Sequence, residues 1–231
     1  MQRKANAAPV RAPESGFSLI EMLFVVAVIM ILAGLMFPIA GSVRARAQRA
    51  GCLNNLRQWG LALNLYLDEH RGVYPAWKTG KNAWYEVLPS YLDRPAMSEE
   101  TVFPGQGRKS VFLCPSDRGD GVEQGDYYSS YTFNTHVSVS DGAKRQHQIK
   151  NPDKFVVFSE TAVGEKPGVD LSTLGEEKNG STAFRHAGNV CFCFADGHAA
   201  AFSRKTVWRE GLAATDNCGG LQWNPENDDL Q

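Results

Sequence analysis

The spacing of hydrophobic positions changes twice along the chain. From Phe17 to Ala40 the text reads FSLIEMLFVVAVIMILAGLMFPIA, 24 residues with a single charge, Glu21. As a helix this run spans about 36 Å at ~1.5 Å per residue, enough to cross a bilayer with some tilt. It predicts a transmembrane helix over 17–40. A secretory signal peptide has a shorter apolar core, ~7–15 residues, and a small-residue cleavage site after it. Here the small residue, Gly16, precedes the run. From Ser42 to about Glu69 no proline intervenes, and Cys52, Leu56, Trp59, Leu63 and Tyr66 recur at four-three-four-three spacing. That spacing lays them on one helical face, with Arg57, Asn64 and Asp68 elsewhere. Five positions are too few to require a coiled-coil seam between subunits, so the stripe is read as the face on which a sheet packs. Gly72 and Pro75 stop the helix. Residues 41–70 are thus a helical spine continuing the anchor, one helix of ~50 residues and some 80 Å.

Beyond Pro75 the pattern shortens, and 71–231 reads as a globular α+β domain. Asn82–Leu92 predicts a short helix that Pro89 ends or kinks, and Met97–Lys109 a loop. Aromatic and β-branched residues predict strands at Val111–Cys114, Tyr127–Asn134 and Phe155–Ser159. The clearest hairpin is Asn189–Ala195, then Asp196-Gly197, then His198–Arg204, with Asp-Gly read as a type I′ turn. That turn pairs Ala195 with His198, Phe194 with Ala199, Cys193 with Ala200 and Phe192 with Ala201. Val190, Phe192 and Phe194 then form the face expected to meet the spine, while Cys191, Cys193, His198 and Phe202 share the other.

Composition narrows this picture only slightly. The 231 residues carry a formal net charge of −1, which argues against a nucleic-acid partner, since phosphate recognition needs a basic surface. Five cysteines are an odd number and too few for a disulfide scaffold.

Glu21 does change it. A carboxylate inside an apolar segment costs about 2.5–3.5 kcal/mol on insertion scales, less near the interface, so it normally has a partner. The string Gly16-Phe17-Ser18-Leu19-Ile20-Glu21 resembles the type IV prepilin processing site, a basic leader ending in Gly, then Phe, Ser or Thr, Leu, an aliphatic residue and Glu. The leader 1–16 carries Arg3, Lys4 and Arg11, and Gly34 and Pro38 sit where pilin anchors carry a small residue and a proline. The resemblance implies a pilin-like α+β fold, with a long N-terminal transmembrane and spine helix packed against a small antiparallel β-sheet domain. It implies cleavage between Gly16 and Phe17 by a prepilin peptidase, methylation of the new Phe17 amine, and pairing of Glu21 with a neighbouring subunit's amine in a fibre. The partners implied are that peptidase, other pilin-like subunits through the N-terminal helix, and the membrane. The N-terminus would be cytoplasmic and the globular domain periplasmic, on a single inner-membrane pass. Arg44, Arg46 and Arg49 follow the anchor closely, so the charges themselves set no orientation.

Other landmarks resemble a prepilin-type family of planctomycetes and verrucomicrobia. His186, nine residues, then Asp196-Gly197 resembles its H-x(9)-D-G motif. Cys52-Leu53-Asn54-Asn55-Leu56-Arg57-Gln58, Tyr74-Pro75 and Cys114-Pro115-Ser116-Asp117 also resemble its segments. A Cys52–Cys114 disulfide is expected on the oxidising side of the membrane, with Cys218 as a competitor for either partner. Cys191 and Cys193, strand neighbours on one face, are poorly placed to bridge each other.

His186, Asp196 and His198 with Cys191 and Cys193 could be imagined around zinc, but Cys-x-Cys with one nearby His is not a common zinc frame. The reading is structural: His186 bonds near the turn and Asp196 shapes it, with no metal and no cofactor. Asp216, Glu226, Asp228 and Asp229 read as a solvated tail rather than a calcium site. Trp77, Trp84, Trp208 and Trp223 read as partly buried core rather than a sugar platform. No nucleophile–base pair or phosphate loop stands out, so no catalytic residue is assigned and no enzyme is expected. The function expected is a pseudopilin or pilin subunit of a type II secretion or pilus-like assembly. The alternatives are a membrane-tethered binding module and, behind it, a tethered metal-dependent hydrolase.

Overall fold

A computed structural model describes residues 17–76, 83–94, 110–117, 129–139, 142–161, 183–207 and 221, without the side chains of 35–40, 138–139 and 142–143. The leader 1–16, the loop Met97–Lys109, Cys218, the acidic tail residues and Trp77, Trp208 and Trp223 lie outside the described residues. Two compact units emerge, Met1–Val43 and Arg44–Gln231.

One helix, α1, runs Leu19–Glu69 through both stretches that the sequence assigns to helix. Its end is a Schellman closure: Arg71 and Gly72 take φ of 56° and 75°, and the Gly72 amide donates back to the Leu67 carbonyl at 2.7 Å. Among the described residues no helix is long and apolar enough to cross a membrane. The described side chains of the apolar run stop at Gly34, so the transmembrane reading of 17–40 rests on the sequence.

In the larger unit, a four-stranded antiparallel sheet has the order β1-β4-β5-β6, with β1 Tyr131–Phe133, β4 Val156–Glu160, β5 Asn189–Phe194 and β6 Ala199–Ser203. A separate ribbon pairs β2 (Ser138–Val139) with β3 (Gly142–Ala143). The fold is α+β and pilin-like, a long N-terminal helix packed on a small antiparallel sheet. The stripe Cys52, Leu56, Trp59, Leu63 and Tyr66 is buried, at 0–5% exposure, in one cluster with Phe133, Phe158, Cys191 and Cys193. It faces this chain's own sheet. Trp59 anchors that interface, edge-on to Trp84 at 5.3 Å and against Phe112 at 4.9 Å. Each large side chain so buried contributes about 1.5–3 kcal/mol.

Within Asn82–Leu92 the short helix is α2 (Trp84–Val87), which gives way at Leu88–Pro89 to a 3₁₀ turn over Leu88–Leu92, as Pro89 leads one to expect. Two local expectations need correction. Val111–Cys114 is a tight turn rather than a strand. Its carbonyls are claimed by the spine: Trp59 Nε1 donates to Val111 O at 3.1 Å and Asn55 Nδ2 to Leu113 O at 2.8 Å. Phe112 O instead accepts the Ser130 amide beside β1, at 2.8 Å.

The second correction concerns the hairpin. Cys193 pairs with Ala199, Phe192 with Ala200 and Cys191 with Ala201, one residue away from the expected register. Within this turn Gly197 alone has positive φ, 90°, while Gly197 N donates to Phe194 O and Phe194 N to His198 O, each at 2.9 Å. That is a three-residue loop with Gly in the left-handed position, not a two-residue type I′ turn. A slip of one residue exchanges partners across the hairpin. Phe202 and Ala200 therefore join Val190, Phe192 and Phe194 in a second apolar cluster with Val207 and Leu221. The spine instead meets Cys191, Cys193, Ala199 and Ala201.

The small residues on the spine side have a reason. A Cβ on Gly60 would lie 2.8 Å from both Cys193 Sγ and the Gly197 carbonyl. A Cβ on Gly197 would lie 2.7 Å from Asn64 Nδ2. The β5–β6 turn thus rests directly on α1, which phenylalanines on that face would forbid.

Candidate functional site

Two sets of residues carry chemistry, one in each unit. At the start of α1, the Ser18 amide donates to Glu21 Oε2 at 2.8 Å, while the Glu21 and Met22 amides donate to Ser18 O at 3.1 and 3.3 Å. Ser-x-x-Glu is a capping-box arrangement, with the acid in the first turn where the helix dipole favours it. Around this carboxylate the chain leaves large apolar side chains uncovered: Phe17 is 80% exposed, Leu19 84% and Phe24 70%. A row of that kind on its own helix is a surface built for lipid or for another apolar surface.

The second set forms where four pieces of backbone meet: the Cys114 turn, the start of β1, the end of β4 and the turn before β5. Cys52 on α1 is joined to Cys114 by a disulfide, with Cα atoms 5.1 Å apart and a sequence separation of 62. The helix seats this turn along one stripe. Gln48 Nε2 donates to Pro115 O at 3.1 Å, and Asn55 Nδ2 reaches both Leu113 O and the Tyr131 hydroxyl. A Cβ on Gly51 would meet Pro115 Cγ at 2.8 Å, so glycine lets the proline close in. The Cys-x-Asn-Asn segment and the Cys-Pro-Ser-Asp segment, far apart in sequence, are two halves of one junction.

Against the disulfide lies a buried acid and imidazole. Glu160 ends β4 on the face of Phe158, two residues earlier, so the pleat turns its carboxylate toward the spine. It is fully buried, and Oε1 is 2.9 Å from His186 Nε2, while Oε2 accepts the Cys191 amide at 2.7 Å. His186 Nε2 also lies 3.4 Å from Cys114 Sγ, and its Nδ1 is 3.1 Å from Ser116 Oγ. Beside this pair, Asp117 binds the Arg185 guanidinium at 2.8 Å and accepts from the Ser130 hydroxyl at 2.5 Å. Arg185 also donates to Thr161 O at 2.5 Å. Asp117 and Arg185 thus pair opposite charges at the edge of the cluster, as buried charges must be paired. Burial, then the nearby Glu160 charge, pushes the Cys191 thiol up, and burial followed by the Asp196 charge does the same for Cys193. Both are free thiols held in the neutral form.

His186 and Asp196 stand at opposite ends of β5 and do not meet. His186 closes the turn before β5, with its carbonyl accepting the Asn189 amide at 3.2 Å. Asp196 shapes the turn after β5, its Oδ1 accepting the His198 amide at 3.0 Å and lying 2.6 Å from His198 Nδ1. His198 is half exposed and stacked on Phe194, whereas Cys191 and Cys193 are buried against the spine. The imagined Cys191–Cys193–His198 zinc set is therefore dispersed. Trp84 is fully buried and offers no sugar platform. Glu160 and Arg185 were missed by sequence reasoning; strand parity from Phe158 is the signal that could have found Glu160. Cys52, Cys114, Glu160 and His186 each present one ligand-type atom, all within 4.8 Å of one another.

A prokaryotic N-terminal methylation motif matches residues 11–37. No curated protein and no solved structure shows a significant match to the chain. The family described as a protein of unknown function (DUF1559) matches residues 41–161, just over half the sequence and the part that contains the spine, the Cys52–Cys114 junction and the β4 strand ending at Glu160. The chain belongs to that family, behind an N-terminal methylation motif.

Proposed function

We propose that this chain is a non-catalytic pilin-like subunit of a type II secretion or pilus-like assembly. A prepilin peptidase removes 1–16, Phe17 becomes an N-methylated terminus, and the helix from Phe17 to Ala40 holds the subunit in the inner membrane. The leader then faces the cytoplasm and the globular domain the periplasm. From the bilayer the same apolar helix passes into a bundle of like helices, where Glu21 faces the amine of a neighbouring Phe17. Attraction at low dielectric offsets part of the cost of burying both charges. The observation that carries this reading is the methylation motif over 11–37 placed on a helix whose apolar side chains its own chain leaves exposed. The His186–Glu160 pair supports the non-catalytic half of the reading, because both groups are buried and both are spent on holding the fold together.

Intact mass spectrometry of membrane-extracted protein tests the processing step. The expected species begins at Phe17 and is one methyl group heavier than the bare chain. An uncut terminus, or a cut after Ala33 or Ala40, overturns it.

A further inference from the structure

We propose that the Cys52–Cys114 junction has a second state, in which the two sulfurs are thiolates and hold a zinc ion together with His186 and Glu160. The inference stands on the buried cluster alone and does not depend on the pilin reading.

The donor set is two sulfurs, an imidazole nitrogen and a carboxylate oxygen, within 4.8 Å of one another and each residue no more than 3% exposed. Four such donors close a tetrahedral site of the structural kind, with Zn–S of about 2.3 Å and Zn–N or Zn–O of about 2.0–2.2 Å. Two thiolates on one zinc stand roughly 3.8 Å apart at those bond lengths, a separation the sulfurs can reach once their bond is broken. The surrounding residues fit the role too. Ser116 Oγ, at 3.1 Å, holds His186 Nδ1, so that Nε2 faces Cys114 Sγ at 3.4 Å and Glu160 Oε1 at 2.9 Å, and the Cys191 amide holds Glu160 Oε2 and turns Oε1 to that imidazole. Outer partners that orient a ligating His and carboxylate are a regular part of zinc sites. A disulfide, by contrast, needs neither a buried imidazole nor a buried carboxylate beside it.

The chemistry balances with a dithiol reductant. Two electrons and two protons pass to Cys52 and Cys114, the S–S bond breaks, and the reductant leaves as its cyclic disulfide. Zinc then takes the two sulfurs as thiolates, and two protons go to solvent. In the zinc state the imidazole offers its Nε2 lone pair to the metal in place of the Glu160 contact, and carries its ring proton on Nδ1 toward the Ser116 hydroxyl, which can accept as readily as donate. Disulfide and zinc are mutually exclusive, and either one ties α1 to the Cys114 turn.

The test uses the full chain in detergent, reduced in urea and then refolded with zinc alone, or with cobalt as its spectroscopic substitute. The reduced chain is expected to take up one zinc and recover the near-ultraviolet circular dichroism of the oxidised protein. Cobalt should give a thiolate charge-transfer band and the intense visible absorption of a tetrahedral site. The oxidised chain should take up neither. His186→Gln keeps hydrogen-bonding capacity but should abolish stoichiometric uptake, whereas Ser116→Ala should weaken it by about 10–100-fold. Cys193→Ala, which removes a free thiol that touches none of the four ligands, should leave it unchanged. A reduced chain that refolds without zinc uptake, one that stays unfolded with zinc present, or equal uptake by the oxidised chain or by His186→Gln overturns the proposal.

Discussion

Gly60 shows how single positions set this fold. It lies inside a helix, where glycine is unfavourable by up to about 1 kcal/mol relative to alanine. Propensity therefore predicts that Gly60→Ala stabilises. The packing predicts the opposite, because the new methyl would meet Cys193 Sγ and the Gly197 carbonyl at 2.8 Å. One of those contacts is backbone and cannot swing away. Overpacking of this kind costs about 1–3 kcal/mol, so urea unfolding of Gly60→Ala should show a net loss of stability. A gain would mean that the turn does not rest on the helix. At the same scale, the buried thiols give stability a pH dependence. Cys191 and Cys193 are pushed above the ordinary thiol value of 9.0 by burial first, whereas in the unfolded chain they ionise near it. The folded state then holds protons that the unfolded state has released, so stability is complete below pH 9 and falls as pH rises beyond it. Each thiol adds a slope of about 1.4 kcal/mol per pH unit there. Tyr74 and Tyr131, also raised by burial, add to it above pH 10. Stability curves from pH 7 to 11 check this, and the Cys191→Ser, Cys193→Ser double variant should flatten the fall that begins near pH 9.

Among the elements, the spine helix and the β5–β6 hairpin were legible in the sequence, and the rest was legible unevenly for physical reasons. The stripe from Cys52 to Tyr66 repeats at helical spacing, and a buried helical face must repeat that way. The hairpin's existence followed from Asp196-Gly197, but its register did not. Asp-Gly serves a two-residue turn and a three-residue loop alike, and the choice was made by the contact of Gly197 with Gly60, which no local pattern encodes. Val111–Cys114 has strand-like composition, yet its carbonyls bond to side chains of α1 that precede them by more than fifty residues. The buried cluster was half legible. Cys52, Cys114 and His186 stood out as residue types, whereas Glu160 acquires its meaning only from the strand that carries it. The junction's disulfide closes 62 residues of sequence separation. By loop entropy, its removal in a Cys52→Ala, Cys114→Ala double variant should cost about 4 kcal/mol without zinc. Denaturant unfolding of oxidised wild type against that variant measures it, and a difference near zero would show that the helix–sheet interface alone fixes the Cys114 turn.

For the whole molecule, the decisive question is what Glu21 is for, because the structure gives it a local role as well as the one its family likeness implies. It accepts the Ser18 amide and so caps its own helix. Loss of a first-turn acid at a helix N-terminus costs about 0.3–1 kcal/mol, enough to disturb a helix start without any fibre being involved. Glu21→Val removes cap and charge together and cannot separate the two roles. Glu21→Gln can, since glutamine serves the capping box as glutamate does but carries no charge. Both variants should enter the membrane at least as well as wild type, because a charge that costs a few kcal/mol there is gone. Both should still be cut after Gly16, whose surroundings are unchanged. If Glu21 neutralises a neighbour's Phe17 amine within the fibre, both should be left out of sheared filaments, because the amine would be buried without its counter-charge. Should Glu21→Gln incorporate normally while Glu21→Val fails, the carboxylate is a helix cap and the pairing is wrong. Normal incorporation of both would remove any assembly role for Glu21, and with it the strongest distinction between a fibre subunit and a merely tethered domain.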